Sequence, residues 1–364
     1  MALFVTLVAM IVIGGLVSAI MATTTLEQRT GENMRRQNQA FAVADAAMNG
    51  IVANWVSGAW NQMAVGANIA VSGQSPNGTG TYTGSVSRVN NEIFMVDVVG
   101  KDRASSARQR LAMLVKLRIL TFDISAALTT RGAGSVGGSA AVDGNDTPPW
   151  PDCPPAGAAE AGIRHPDPTQ LSFIGGCSGQ SCVEGDPPVE GDPSVNDNTF
   201  FSYADNDWDA LQGQATVTLA GGTYTGMAPS LLVGNCNIGD TKNWGEPMRP
   251  AIVAACTNYF PIIYFAGDAQ LSNGRGQGIL MVNGDLTLVG NFDFDGIAVV
   301  RGRLRSQGTG NKITGGVLAA NVDLDNTMVL GNAVLTYSRC AIDRAQAASA
   351  PGAQFRSRGW MQVF

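Results

Sequence analysis

The residues able to do chemistry are few. His165 is the single histidine, set between Arg164 and Pro166, so no Ser-His-Asp or Cys-His arrangement can be assembled around a second imidazole. Asp205, Asp207 and Asp209 alternate in Asp205-Asn206-Asp207-Trp208-Asp209, the every-second-residue carboxylate spacing of a calcium loop. Ala210 stands where the tight-turn glycine would be and Thr216 where the bidentate glutamate would be, so Ca2+ there is a minor expectation and no other cofactor is expected. Asp293 with Asp295, and Asp323 with Asp325, are weaker pairs of the same kind. Cys153, Cys177, Cys182, Cys236, Cys256 and Cys340 are an even set without a Cys-x-x-Cys spacing, which favours disulfides over zinc in an exported chain. Cys177 with Cys182, five positions apart, is the first pairing expected and Cys236 with Cys256 the next. Asn77-Gly78-Thr79 and Asn145-Asp146-Thr147 match a glycosylation sequon, a pattern that arises easily by chance. No nucleotide loop follows a strand, and a net charge of −6 disfavours nucleic acid. The expectation is a protein that is not an enzyme, with no catalytic residue; Asp293 and Asp295 are the only candidates for a membrane-anchored, polysaccharide-degrading alternative, which rests on fold analogy.

The elements that would carry these residues begin with an uncharged run from Met1 to Leu26. About 20 apolar helical residues at roughly 1.5 Å each cross a bilayer core of roughly 30 Å. A signal peptide fits poorly, because no basic region precedes Ala2 and the apolar run is too long. Leu3, Leu7, Ile11, Leu16 and Ile20, with Met1 and Val5, must meet lipid or other copies of themselves, and Gly14-Gly15 sits mid-segment where it permits stretching or close helix approach. The helix continues into a polar stretch whose Phe41, Ala44, Met48, Ile51 or Val52, and Trp55 form one apolar stripe against a sheet.

Thr81 to Arg88, Ile93 to Val99 and Leu111 to Leu117 then read as a three-strand antiparallel meander, with Asn90-Asn91 as a turn. The domain plan is 1–60 helix (1–25 membrane or filament core), 61–120 antiparallel sheet, 121–340 repeat domain and 341–364 C-terminal segment. In the repeat domain, aligning Gly267, Gly284, Gly302 and Val322 gives steps of 17, 18 and 20 residues, about one solenoid coil each. The fold class is therefore α+β, a long helix and small sheet followed by a parallel β-helix with Ala126 to Val142 as its early coils; a β-sandwich is the alternative. Residues 143–215 hold 10 of the 16 prolines, and 143–209 carry 13 acidic residues against one basic, which reads as an acidic loop excursion from the solenoid. Arg339, Arg344, Arg356 and Arg358 are expected to pair with such loops on a neighbouring subunit.

Thr23-Thr24-Thr25-Leu26-Glu27-Gln28-Arg29-Thr30-Gly31-Glu32-Asn33, followed by Gln39-Ala40-Phe41-Ala42-Val43-Ala44-Asp45-Ala46-Ala47-Met48, resembles the N-terminal segment of PilX-type type IV pilins. The resemblance implies a leader removed by a prepilin peptidase before Met1, with N-methylation at Met1. It also implies residence in the inner membrane, then assembly by pilus machinery into an extracellular helical homo-oligomer with the apolar helices in its core. The function implied is a structural filament subunit; a minor or tip pilin, acting in priming or as an adhesin, is the alternative. Pilins usually carry a glutamate at the fifth mature position, where this chain has Val5.

Overall fold

The computed structural model describes residues 2–61, 63–76, 78–118, 120–203, 206–324, 333–354 and 360–363. The chain divides into two compact units, one made of Met1–Trp55, Met63–Leu117 and Gly352–Phe364, the other of Val56–Gln62 and Arg118–Pro351. The segment 341–364 is thus not a single appendage: the helix Arg339–Ser349 belongs to the second unit and the strands Gly352–Gln354 and Trp360–Val363 to the first.

In the first unit, helix α1 (Ala2–Ala53) packs its second half on an antiparallel sheet. The sheet is wider than the expected meander. Strands β1 (Asn68–Gln74), β2 (Gly80–Arg88), β3 (Ile93–Asp102) and β4 (Arg108–Leu117) pair in sequence order, and both C-terminal strands add to the far side of β4. β1 is largely exposed and lacks a clean alternation, and the C-terminal strands arrive from far along the chain; local periodicity reveals neither. The Asn90 side chain closes the expected turn by accepting from the backbone N–H groups of Glu92 and Ile93.

The buried face of α1 consists of Ala40, Val43, Ala44, Ala47, Met48 and Ile51, while Phe41, Val52 and Trp55 are only half-buried. The stripe is displaced toward small residues because the sheet approaches closely. A Cβ added to Gly100 would lie 2.4 Å from the Ala40 carbonyl oxygen and 2.5 Å from the Ala44 nitrogen. Trp55 closes the end of the packed region with an edge-on contact to Phe94, ring centroids 5.1 Å apart.

The second unit is a large, mostly parallel sheet. Ile263 pairs with Leu280, Leu280 with Ala298 and Ala298 with Val317, steps of 17, 18 and 19 residues. A second parallel ladder joins Ala269, Leu286, Leu304 and Val322. The register shifts between Val300 and Arg303, so Leu304 rather than Gly302 opposes Val322. Parallel pairing throughout these ladders is not the pattern of an antiparallel sandwich. Gly278, Gly296 and Gly315 face one another in register with φ of +116°, +139° and +139°. A Cβ at Gly296 would meet the Gly278 oxygen at 2.1 Å, so the bend repeated at this point on each strand admits only glycine.

Two expectations about this unit are corrected. Ala126–Thr130 and Gly134–Val136 do not start a stack that grows with the sequence; they pair with Asn311–Leu324, the last of the long strands. Residues 143–215 are not simply an excursion, because Ala161–His165 is a fully buried strand paired with Ala126–Thr130, and Leu171–Phe173, Val183–Glu184 and Val189–Gly191 also join the sheet. Their apolar cores are two or three residues long, too short to register against the surrounding prolines and acids.

Cys177 bonds Cys182, Cys236 bonds Cys256, and Cys153 bonds Cys340 over a sequence separation of 187. The last bond lies beside a small core of Trp150, Phe260, Cys340, Ala341 and Ala348. In the chain-entropy account a loop of that length contributes up to about 5 kcal/mol.

Two measurements test these contacts. Gly100→Val, which drives a side chain into the α1 backbone, should lower stability by about 1–3 kcal/mol in urea unfolding. Replacing Cys153 and Cys340 together by Ser should lower the unfolding midpoint of the second unit far more than replacing Cys177 and Cys182, whose loop is short.

Candidate functional site

α1 is one continuous helix of 52 residues, roughly 78 Å long at about 1.5 Å per residue. It passes the length and composition test for crossing a membrane. Up to Met34 its described side chains are exposed, Leu3 by 83% and Val8 by 43%, and Ile11, Leu16 and Ile20 are likewise bare. Met1 and the side chain of Val5 lie outside the described residues. Gly14 and Gly15 remain helical, and nothing lies within 4 Å of where a Cβ would stand at either. They leave a flat, small-residue patch on an otherwise bulky surface, the shape that lets a second helix approach.

The hydroxyls of this half are bonded back to carbonyls of the same helix. Thr6 donates to the Leu3 carbonyl, Ser18 to Gly14, Thr24 to Ile20, Thr25 to Met21 and Thr30 to Leu26. A hydroxyl bonded back to its own helix removes much of the penalty of leaving water. Charge appears only beyond Leu26, where Glu32 and Arg36 pair one turn apart. The uncharged, internally bonded half therefore suits an apolar medium, and the half from Ala40 onward has its own sheet to cover it.

Residues 1–49 match a family model described as PilX N-terminal. The chain carries a PilX-type N-terminal segment. At this end it is type IV pilin-like, and the PilX segment spans the whole exposed half of α1 and the start of its packed half. The crystal structure of the competence-associated pilin ComZ from Thermus thermophilus is 11% identical, over 90% of this chain and 97% of that chain, with a TM-score of 0.26. A score that low carries no argument for either unit. No curated protein matches the chain.

The second unit places the other sequence-derived candidates. His165 is buried, its Nδ1 accepting from the Asp167 N–H at 2.9 Å and its Nε2 donating to the Gly132 carbonyl at 3.1 Å, so both nitrogens hold backbone. Asp207 caps the helix Trp208–Gly213 by accepting from the Ala210 N–H, Asp209 lies exposed in that helix's first turn, and Asp205 is outside the described residues. One oxygen of the Asp207 carboxylate is thus engaged by backbone. Among the described residues no three His, Cys, Asp or Glu side chains gather as a metal site.

Arg339 and Arg344 find partners within their own unit. Arg339 meets Glu160 and, through its backbone N–H, Asp146; Arg344 meets Asp152 at 2.9 Å and lies over the Trp150 ring, with Arg249 also against it. These two arginines therefore do not await a neighbouring subunit, and Arg356 and Arg358 lie outside the described residues. Arg164, the lone base of the acidic stretch, bridges Asp192 and Asp123. Hydrogen bonds from Ser194 and then Arg164 hold the Asp192 carboxyl down to about 2.

Asp293 and Asp295 stand two residues apart on one face of the strand Phe292–Gln307, opposite Arg275 and Gln277 on one side and Lys312 and Thr314 on the other. Asp295 is 5% exposed; burial, with the neighbouring Asp293 carboxylate second, pushes it up to about 7. Asp295 is thus shielded from solvent, while Asp293 is half-buried.

That burial gives a pH test. Between the ordinary carboxylate range near 4 and about 7, the folded chain holds the Asp295 proton that the unfolded chain has released, so this group's contribution to stability falls as pH rises through that window. The thermal midpoint of Asp295→Asn minus that of the wild type should grow from pH 4 to 7 and level off above it. A difference independent of pH would show that Asp295 ionises normally.

Proposed function

We propose that this chain is a structural subunit of an extracellular type IV pilus-like filament. Before assembly, residues 1–25 hold it in the inner membrane; pilus assembly machinery then moves the same surface from lipid to a bundle of identical helices. The second unit is displayed outside, and its two parallel ladders, stepping by 17 to 19 residues, support winding as a β-helix. The observation that carries the reading is the division of α1: its second half is covered by its own sheet, while its first half has a PilX-type sequence, satisfied hydroxyls and no cover. Apolar area stays buried in both lipid and bundle, so hydrophobicity favours neither strongly, and packing must tip the balance. The reading assigns no catalytic step and no cofactor to the chain.

Introducing charge in the exposed half tests it. Leu7→Lys with Ile11→Lys places two ammonium groups mid-segment, each costing about 3 kcal/mol at a bilayer centre. Neither side chain supports the folded units, so the expected outcome is loss of surface filaments, counted by electron microscopy of sheared cells, with the disulfides intact. Filaments in normal number would overturn the reading.

A further inference from the structure

A row of buried polar side chains crosses the parallel sheet of the second unit. Gln277, Asp295 and Thr314 are register partners on the strands Gly274–Val282, Phe292–Gln307 and Asn311–Leu324. Adjacent strands lie about 4.8 Å apart, so each side chain meets its neighbour in the row and not the one beyond. Both ends of the row are incomplete. Gln277 uses its two amide hydrogens on the segment Cys256–Tyr259, Nε2 lying 2.9 Å from the Thr257 carbonyl oxygen and 2.9 Å from that of Tyr259. Its Oε1 is buried with no hydrogen-bond partner among the described residues. Thr314 Oγ1, near enough to Asp295 to act on its pKa, likewise completes no hydrogen bond among them. A buried polar atom left without a partner costs about 1–3 kcal/mol.

Asp295, between the two, decides whether the row can be satisfied. An ionised carboxylate only accepts, so it would set oxygen against oxygen at Gln277; a protonated one has an O–H to donate and a carbonyl oxygen to accept. The neutral acid meets both needs at once, taking a hydrogen bond from Thr314 and giving one to Gln277 Oε1. Its surroundings favour that form. Burial and then the Asp293 carboxylate raise the Asp295 pKa to about 7, against Lys312, Thr314 and Arg249. The other charges on the elements packed around it are engaged elsewhere: Arg275 with Glu246, Lys242 beside Asp240, and, on the helix Arg339–Ser349, Asp343 beside Arg339 and Arg344 with Asp152.

We propose that Asp295 is the proton-held member of a latch: as a neutral acid it donates to Gln277 Oε1 and fixes the amide that holds Cys256–Tyr259, and when its proton passes to solvent the carboxylate repels Gln277 and the segment loosens. The effect reaches beyond the segment itself. Cys256 is bonded to Cys236 in the hairpin of Leu231–Leu232 and Asn235–Cys236, where Leu232 and Val233 are 62% and 93% exposed, so the proton also governs how firmly that apolar tip is held. The latch lies wholly within the second unit and operates whether or not the chain assembles.

Hydrogen exchange of the full-length chain in detergent, read by mass spectrometry and corrected for the intrinsic effect of pH, tests it. Opening the segment admits water to Asp295 and returns its pKa to the ordinary range, so protection of the Cys256, Thr257 and Tyr259 amides should fall about tenfold or more from pH 5 to pH 8. Asp295→Asn places a permanent N–H donor and a carbonyl acceptor in the same position and should keep that protection at pH 8. Infrared difference spectra should show the C=O stretch of a protonated acid that titrates near pH 7 in the wild type, is absent in Asp295→Asn and shifts in Gln277→Leu, where the acceptor is gone. The proposal is overturned if protection of the segment is the same at both pH values, if Asp295→Asn loses it as the wild type does, or if the stretch is unmoved in Gln277→Leu, the proton then bonding to an interior water. Should Gln277→Leu not fold, the exchange comparison of the wild type with Asp295→Asn decides alone.

Discussion

The first unit is arranged around one helix that has an interior for only half its length. Burying an apolar side chain is worth about 1.5–3 kcal/mol, and a helix with a bare apolar surface of some 25 residues cannot stay in water. From Ala40 onward the antiparallel sheet supplies the missing cover; before that, the helix has no cover from its own unit. The hydroxyls bonded back to their own carbonyls are part of the same solution, since they allow the bare half to leave water without stranding donors.

The covered half shows how tightly that solution is made. Gly100 and Gly80 lack the Cβ atoms that would strike α1, and Ala40, Val43, Ala44 and Ala47 present small side chains in return. A close-packed contact of this kind fixes the helix to its sheet more firmly than a stripe of large residues with gaps would. The second unit is organised by a different repetition: an in-register glycine bend, two parallel ladders, and acids met by arginines of the same unit instead of by neighbours. It also holds Asp293 half-buried and Asp295 buried on one strand of the sheet.

What could be read without coordinates follows the range of the interactions. α1, the Asn90-Asn91 turn and the 17- to 20-residue rhythm near the end all rest on contacts between residues one turn, one hairpin or one repeat apart. Gly278, Gly296 and Gly315 recur at nearly the same period, a signal present in the sequence that an alignment on Gly267, Gly284 and Gly302 passes over. The buried strand Ala161–His165 was hidden by its brevity and by the prolines and acids around it.

The amino-acid sequence by itself determined that an uncharged segment must find an apolar medium and that its PilX-type motifs follow it in order, because composition and helical period are local properties of the chain. Tertiary structure alone decided that Ala126–Thr130 lies against the last long strand, that Cys153 reaches Cys340, that the C-terminal strands complete the first sheet, and that Arg339 and Arg344 are already paired. Each of these joins residues more than a hundred positions apart. Parallel pairing and loop closure at such separations depend on which surfaces meet once the chain has collapsed, and no periodicity in one stretch of sequence carries that information.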